Sequence, residues 1–163
     1  MGGLKTKNVD VVVIKEGLGP ALAISCKGTG GAFRNLTNRI EEAVGDCTNL
    51  HITYPAMVCG FLAVIRGNRR EERAAAVAAG ETATVRELTD NDIALNDANE
   101  PVMSIIRYQN ALRELTGRRG IRNDVSRYEA AALTVVQSTG ADAGVVLAGY
   151  PLPESLFDNL VMS

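Results

Sequence analysis

Asp10 stands alone among β-branched residues in the stretch 8–14, NVDVVVI. Burying a carboxylate in such a run without a partner is costly. Three readings follow: the side chain faces solvent at a sheet edge, it pairs with Lys7 or Lys15, or it belongs to a site. Lys27 closes the next apolar stretch, 21–27, ALAISCK. A lysine beside a metal-held water orients that water or takes its proton, provided nearby positive charge and burial depress its pKa. Ser25 precedes Lys27 by two residues and shares its strand face, where a hydroxyl suits an outer-shell water. Glu41 follows Lys27 by fourteen positions. On a helix it shares a flank with Arg34 and Asn38, next to the apolar stripe, and is expected to border the sheet. Glu42, about 100° further round, is expected to be solvated. One carboxylate from a strand and one from the adjacent helix make an oxygen-rich pair. Such a pair suits Mg²⁺ (or Mn²⁺), which completes its octahedron with water and phosphate oxygens.

The elements that would carry these groups follow from hydropathy. The stretches 8–14 and 21–27 are strands joined by turn chemistry at Gly17-Leu18-Gly19-Pro20, so they form a hairpin. Under that pairing Asp10 and Lys27 approach one another near one end of the sheet. Phe33, Leu36, Ile40 and Val44 recur at helical spacing, predicting an amphipathic helix that ends near Gly45. Residues 56–65 read as a buried strand and 69–79 as a short helix. The region 80–100 is polar and irregular, an excursion. Pro101 suits the first turn of a helix to about Leu115, Asp124 is placed to cap another to about Gln137, and 142–148 is a last strand. The order β-β-α-β-(excursion)-α-α-β predicts an α/β fold, a mixed β-sheet flanked by helices.

The chain has 163 residues with 46% hydrophobic and 22% charged, which predicts one globular domain over 1–163 with its own core. Net charge is −2, which argues against a polybasic nucleic-acid coat while leaving room for a local basic groove. No apolar run approaches a membrane span, and the N-terminus lacks a signal-like apolar segment. Three cysteines without C-x-x-C spacing make a disulfide framework or a zinc knuckle a poor fit, and cytoplasmic localisation is expected. With one histidine, no multi-histidine metal site can form within a chain. The absence of Trp weakens a base-stacking platform for single strands.

Asp10 in NVDVVVI, Ser25 and Lys27 in ISCK, and Glu41 on the following helix together resemble the active-site signature of the PD-(D/E)XK nuclease superfamily. More narrowly, they resemble the variant in restriction endonucleases that recognise CCGG-type sites. There a serine replaces the acidic residue of the E-x-K tripeptide, and the carboxylate comes from the next helix, thirteen residues beyond the lysine. Here thirteen residues separate Lys27 from Glu41. The resemblance covers residues 8–65. It implies a restriction-endonuclease-like β-β-α-β core and Mg²⁺-dependent hydrolysis of DNA. It also implies metal-ligand roles for Asp10 and Glu41, a catalytic role for Lys27, Ser25 as the substitution mark, and a homodimer. Residue 9 is Val where the family usually has Pro, and about eight residues precede Asp10 where the family usually has a helix. That shortage favours a second reading, a catalytically inactive nuclease-fold module that binds DNA or protein.

Other residues admit other readings. The turn Lys27-Gly28-Thr29-Gly30-Gly31 leads into a helix N-terminus, the setting of a phosphate-binding turn, so a nucleotide-binding α/β protein is a third reading. The run matches neither of the common glycine-rich nucleotide motifs. Cys26 reads as a small buried hydrophobe, and His51 as a hydrogen-bonded structural residue. A Cys–His nucleophile built from Cys47 or Cys59 has no supporting spacing. Arginine supplies 13 of the 17 basic residues. Arg66, Arg69, Arg70 and Arg73 form one set, and Arg113, Arg118, Arg119, Arg122 and Arg127 another. A solvated face offset by neighbouring glutamates is the common outcome for such sets. The guanidinium fork also fits phosphate, which makes Arg34, Arg118, Arg119 and Arg122 the DNA-contact candidates.

Overall fold

The structure, a computed structural model, describes residues 6, 8–29, 35–70, 91–118, 124–137 and 140–147. The expectations for Arg34, Arg119, Arg122, Gly30, Gly31 and most of the helix at 69–79 lie outside them.

Four strands and two helices form an α/β arrangement: β1 (Val11–Lys15), β2 (Gly19–Thr29), α1 (Leu36–Thr53), β3 (Val58–Gly67), α2 (Met103–Glu114) and β4 (Ala130–Gln137). The strands lie in the order β1-β2-β3-β4. β1 and β2 pair antiparallel as the expected hairpin, whereas β2, β3 and β4 run parallel. A parallel neighbour requires a crossover, and α1 supplies it between β2 and β3. Gly17, with φ of 75°, turns the hairpin, and the Leu18 amide bonds the Lys15 carbonyl at 3.0 Å.

Strand alternation separates the two faces of the sheet. One carries Ala23 and Ser25 from β2, Cys59, Phe61, Ala63 and Ile65 from β3, and Ala131, Leu133 and Val135 from β4, all buried. Both helices cover this face. Tyr128, ahead of β4, ties the layers together: its ring packs on Phe61 at 5.4 Å, and its buried hydroxyl donates to the Ala43 carbonyl of α1 at 2.7 Å. The reverse face holds half-buried Ile24, Cys26, Leu62 and Val64, with Val11 and Val13 exposed at the β1 edge.

Four expectations change. The first helix does not end at Gly45. It continues to Thr53, because Cys47, Leu50 and His51 extend the buried stripe past a glycine that sits on the exposed side. Residues 130–137 are the strand β4 and not the end of a helix capped by Asp124. The Asp124 carboxylate instead bonds the Ser126 amide and hydroxyl in a local turn. The last part of the polar excursion is not solvated: Asp92, Ile93, Ala94 and Leu95 are buried. Asn68 stitches them to the end of β3, donating from Nδ2 to the Asp92 carbonyl at 2.7 Å and accepting the Ala94 amide at Oδ1. Of the last strand expected at 142–148, the structure shows a turn followed by a single antiparallel bridge between Val146 and Val136.

Among the described residues no helix is long and apolar enough to cross a membrane.

Candidate functional site

The hairpin register decides where the first candidates meet. Val11 faces Ile24, so Asp10, just before β1, stands beside Ser25. Its Oδ2 accepts the Cys26 amide at 2.7 Å, which holds the carboxylate against the strand between Ser25 and Lys27. Ser25 pairs with Phe61 and Lys27 with Ala63, so both point to the helix-covered face. Ser25 is buried, Lys27 half-buried and Asp10 exposed. A carboxylate, a hydroxyl and an ammonium thus gather at the end of the covered face that borders the edge strand.

Glu41 lies in the second turn of α1 and is exposed rather than bordering the sheet. Its neighbour Glu42 is also exposed but is held by Arg39 at 2.8 Å. Among the described residues, no ion pair or hydrogen bond ties the Glu41 carboxylate or the Lys27 ammonium. The structure therefore brings Asp10, Ser25 and Lys27 together and leaves Glu41 on the outer side of the helix.

Arg118 does not fit the role of a DNA contact. Its side chain is 2% exposed, donating from Nη1 to Glu129 Oε1 at 2.6 Å and from Nη2 to the Pro55 carbonyl at 2.8 Å. A guanidinium so enclosed has no face left for a phosphate.

Arg118 leads to a second group of reactive side chains. Cys47 and His51, one helical turn apart on α1, meet Cys59 at the start of β3 and Glu129 just before β4. Cys47, Cys59 and His51 are all 0% exposed. His51 Nδ1 lies 2.9 Å from the Val125 carbonyl, which can only accept, so Nδ1 carries a proton. His51 Nε2 lies 3.5 Å from Glu129 Oε2 and has no hydrogen-bond partner. Glu129 Oε2 in turn accepts the Cys59 amide at 2.7 Å.

The electrostatics follow from these contacts. Burial works against a charged imidazole, but the adjoining Cys59 and Glu129 side chains and the hydrogen bond to the Val125 carbonyl outweigh it and push His51 up to about 10. The Cys47 hydrogen bond, aided by His51, outweighs burial and brings the Cys59 thiol down to about 6. The Cys47 thiol is raised, first by its bond to Cys59 and then by burial. Burial alone would raise Glu129, yet the nearby His51 ring and the bonds from the Cys59 amide and Arg118 hold its carboxyl below the ordinary range. The result is a buried Cys59–His51 and Glu129–Arg118 double pair. A thiolate beside an imidazole is the chemistry of a nucleophile. With both at zero exposure, no substrate reaches it.

His51 Nε2, Cys59 Sγ and a Glu129 oxygen lie within 4.8 Å of one another, a spacing that a metal ion can bridge. Sequence reasoning weighed Cys47 or Cys59 with the histidine only as a nucleophile without supporting spacing, and did not join them to Glu129 or to a metal. The signal it left unused is Cys47-x-x-x-His51, two ligand-type residues on one face of a helix.

A third feature is an open groove of about 490 Å³ between α1 and α2, floored by Leu36, Ile40, Tyr108 and Ala111 and rimmed by Arg107 and Ser104.

No family model, no curated protein and no solved structure matches the chain.

Proposed function

We propose that the protein is a metal-dependent endonuclease-like domain that hydrolyses phosphodiester bonds in DNA, with its site at Asp10, Ser25, Lys27 and Glu41. The observation that carries this reading is the 2.7 Å bond from the Cys26 amide to Asp10. It supports a fixed acidic group beside Lys27 on the helix-covered face. The strand order, an antiparallel hairpin followed by a helix and a parallel strand, is compatible with the restriction-endonuclease-like core that the sequence resembles.

The residues fit Mg²⁺ by donor chemistry. Among the described residues Asp10 uses Oδ2 for the Cys26 amide and keeps Oδ1, and Glu41 keeps both oxygens; all are hard donors. Asp10 and Glu41 would hold the ion, which when bound neutralises phosphate charge and lowers the pKa of water. Lys27 Nζ is the cation of the site. It donates to the attacking water or to a non-bridging phosphate oxygen and steadies the charge that develops there. Ser25, largely shielded, offers its hydroxyl as a hydrogen-bond partner to a water in the outer shell. Homodimer formation belongs to the same reading, supported by exposed Val11, Val13 and Ile14 on the edge strand.

One observation favours a non-catalytic nuclease-fold module that binds DNA or protein: Glu41 is exposed and tied to no other site residue. A single assay separates the two. Supercoiled plasmid is incubated with Mg²⁺ or Mn²⁺ and wild-type protein, Lys27→Ala or Glu41→Ala. Nicking by wild type that falls in both variants supports the endonuclease. Equal or absent nicking, with salt-sensitive DNA binding that survives Glu41→Ala, overturns the catalytic reading in favour of the module.

A further inference from the structure

We propose that His51 Nε2, Cys59 Sγ and Glu129 Oε2 form a closed, buried site for one zinc ion, separate from the Asp10–Lys27 site and independent of the nuclease reading. Four observations lead there. The first is the unpartnered Nε2 atom, in a side chain with no exposure. A buried imidazole nitrogen without a partner is uncommon and calls for an explanation.

The second is its orientation. His51 donates Nδ1–H to the Val125 carbonyl at 2.9 Å, which turns Nε2 toward Cys59 and Glu129. Histidines that ligate a metal through one nitrogen commonly donate the other to a carbonyl in this way. The third is that the carboxylate is already aimed. Arg118 holds Oε1 at 2.6 Å, and the Cys59 amide holds Oε2 at 2.7 Å, so Glu129 is oriented before any ion arrives.

The fourth is spacing and donor type. Zinc bonds of roughly 2.0–2.3 Å place neighbouring tetrahedral ligands about 3.5 Å apart. The Nε2–Oε2 distance is 3.5 Å, and all three donor atoms lie within 4.8 Å of one another. One sulfur, one imidazole nitrogen and one carboxylate oxygen suit zinc, whereas Mg²⁺ and Ca²⁺ require oxygen. Cys47 Sγ lies 3.4 Å from His51 Nδ1, the nitrogen turned away from these donors, and stands outside the set.

Coordination uses the lone pairs of both Cys59 Sγ and His51 Nε2. The one proton those two atoms share must leave, so each Zn²⁺ bound releases a proton to solvent. Zinc here would clamp the end of α1 to β3 and to the segment entering β4, a structural rather than catalytic task.

The test uses the full chain, reduced and stripped with a chelator, then titrated with Co²⁺ and Zn²⁺. Expected are one tightly held Co²⁺ showing tetrahedral ligand-field bands with thiolate-to-cobalt charge transfer, its displacement by one Zn²⁺, and one proton released per ion. Zinc also raises Tm. Cys59→Ser abolishes the charge-transfer band, and His51→Gln lowers affinity at least tenfold. If either variant fails to fold, the wild-type spectrum and proton release still decide. Cobalt bound without charge transfer, or no binding at micromolar metal, overturns the site. So does charge transfer that survives in Cys59→Ser.

Discussion

The two ends of the helix-covered face hold the same kinds of groups in opposite conditions. Beside β1, the carboxylate of Asp10 and the ammonium of Lys27 remain within reach of water, and one amide bond fixes the acid. Under the last turns of α1, Arg118, His51 and Cys59 are buried and Glu129 is partly so, and Glu129 and Arg118 are tied by hydrogen bonds, while His51 Nε2 and Arg118 Nε have no partner. A charge already paired and dehydrated is spent on architecture. A charge fixed but still hydrated can be offered to a ligand. On the proposed reading, that contrast sets chemistry in the first region against cohesion in the second.

Substitutions distinguish the two, beginning with the largest effect. Lys27→Ala is expected to lower Mg²⁺-dependent plasmid cleavage by about 10²–10⁴-fold, the usual range for a positioned proton-transfer group. Its Tm should stay close to wild type, because the ammonium has no pairing partner among the described residues. A large loss of Tm would show that Lys27 is structural and break the contrast. Arg118→Ala should behave in the reverse way. It strands the Glu129 carboxylate and the Pro55 carbonyl, and breaking a buried pair costs roughly 3–5 kcal/mol. Thermal unfolding should register this as a drop on the order of 10 °C. A DNA-contact role would instead leave Tm alone and reduce the salt dependence of DNA binding.

Acid should act on the buried end. Glu129 has a folded pKa below its ordinary value of 4.5. Its stabilising contribution is therefore complete above pH about 4.5 and is lost as pH falls through the lower folded value. Glu129→Gln should flatten that limb of a Tm-against-pH curve, measured with chelator present. Tyr128→Phe removes the buried bond to the Ala43 carbonyl and should cost about 1–2 kcal/mol in denaturant unfolding. The smallest effect is a gain. Gly45 sits mid-helix on the exposed side, with nothing within 4 Å of an added Cβ. Gly45→Ala should stabilise by about 0.5–1 kcal/mol, and a loss would show that the outer face of α1 is not open.

The sequence made the β1–β2 region legible because its information is local. Alternation sets the faces, a turn sets the register, and Asp10, Ser25 and Lys27 fall on one side as expected. It misread 130–137 because AAALTVVQ begins with the best helix-forming residue, while alternation at Ala131, Leu133 and Val135 equally fits a strand. Only the slot beside β3 decides between them. The end of α1 was misplaced at Gly45 because a glycine signals a stop whether or not buried residues continue beyond it. The buried cluster was illegible for a different reason. Its members come from positions 47, 51, 59, 118 and 129, and only parallel pairing of β3 with β4 puts Glu129 beside Cys59. That same packing turned Arg118 from a phosphate candidate into a partner of Glu129.

The uninterrupted course of α1 has a mechanical consequence. Glu41 and His51 ride on the same rigid rod, about 15 Å apart along its axis at 1.5 Å per residue. A carboxylate carried about 5–6 Å from that axis swings by about 1 Å for each 10° of roll. Misplacement on this scale is enough to cost a catalytic site about 10²-fold. Whatever fixes the rotational setting of the rod at His51 thus also sets where the Glu41 carboxylate stands, and under the proposed reading a defect deep in the packing would register as mistuned chemistry at the far end.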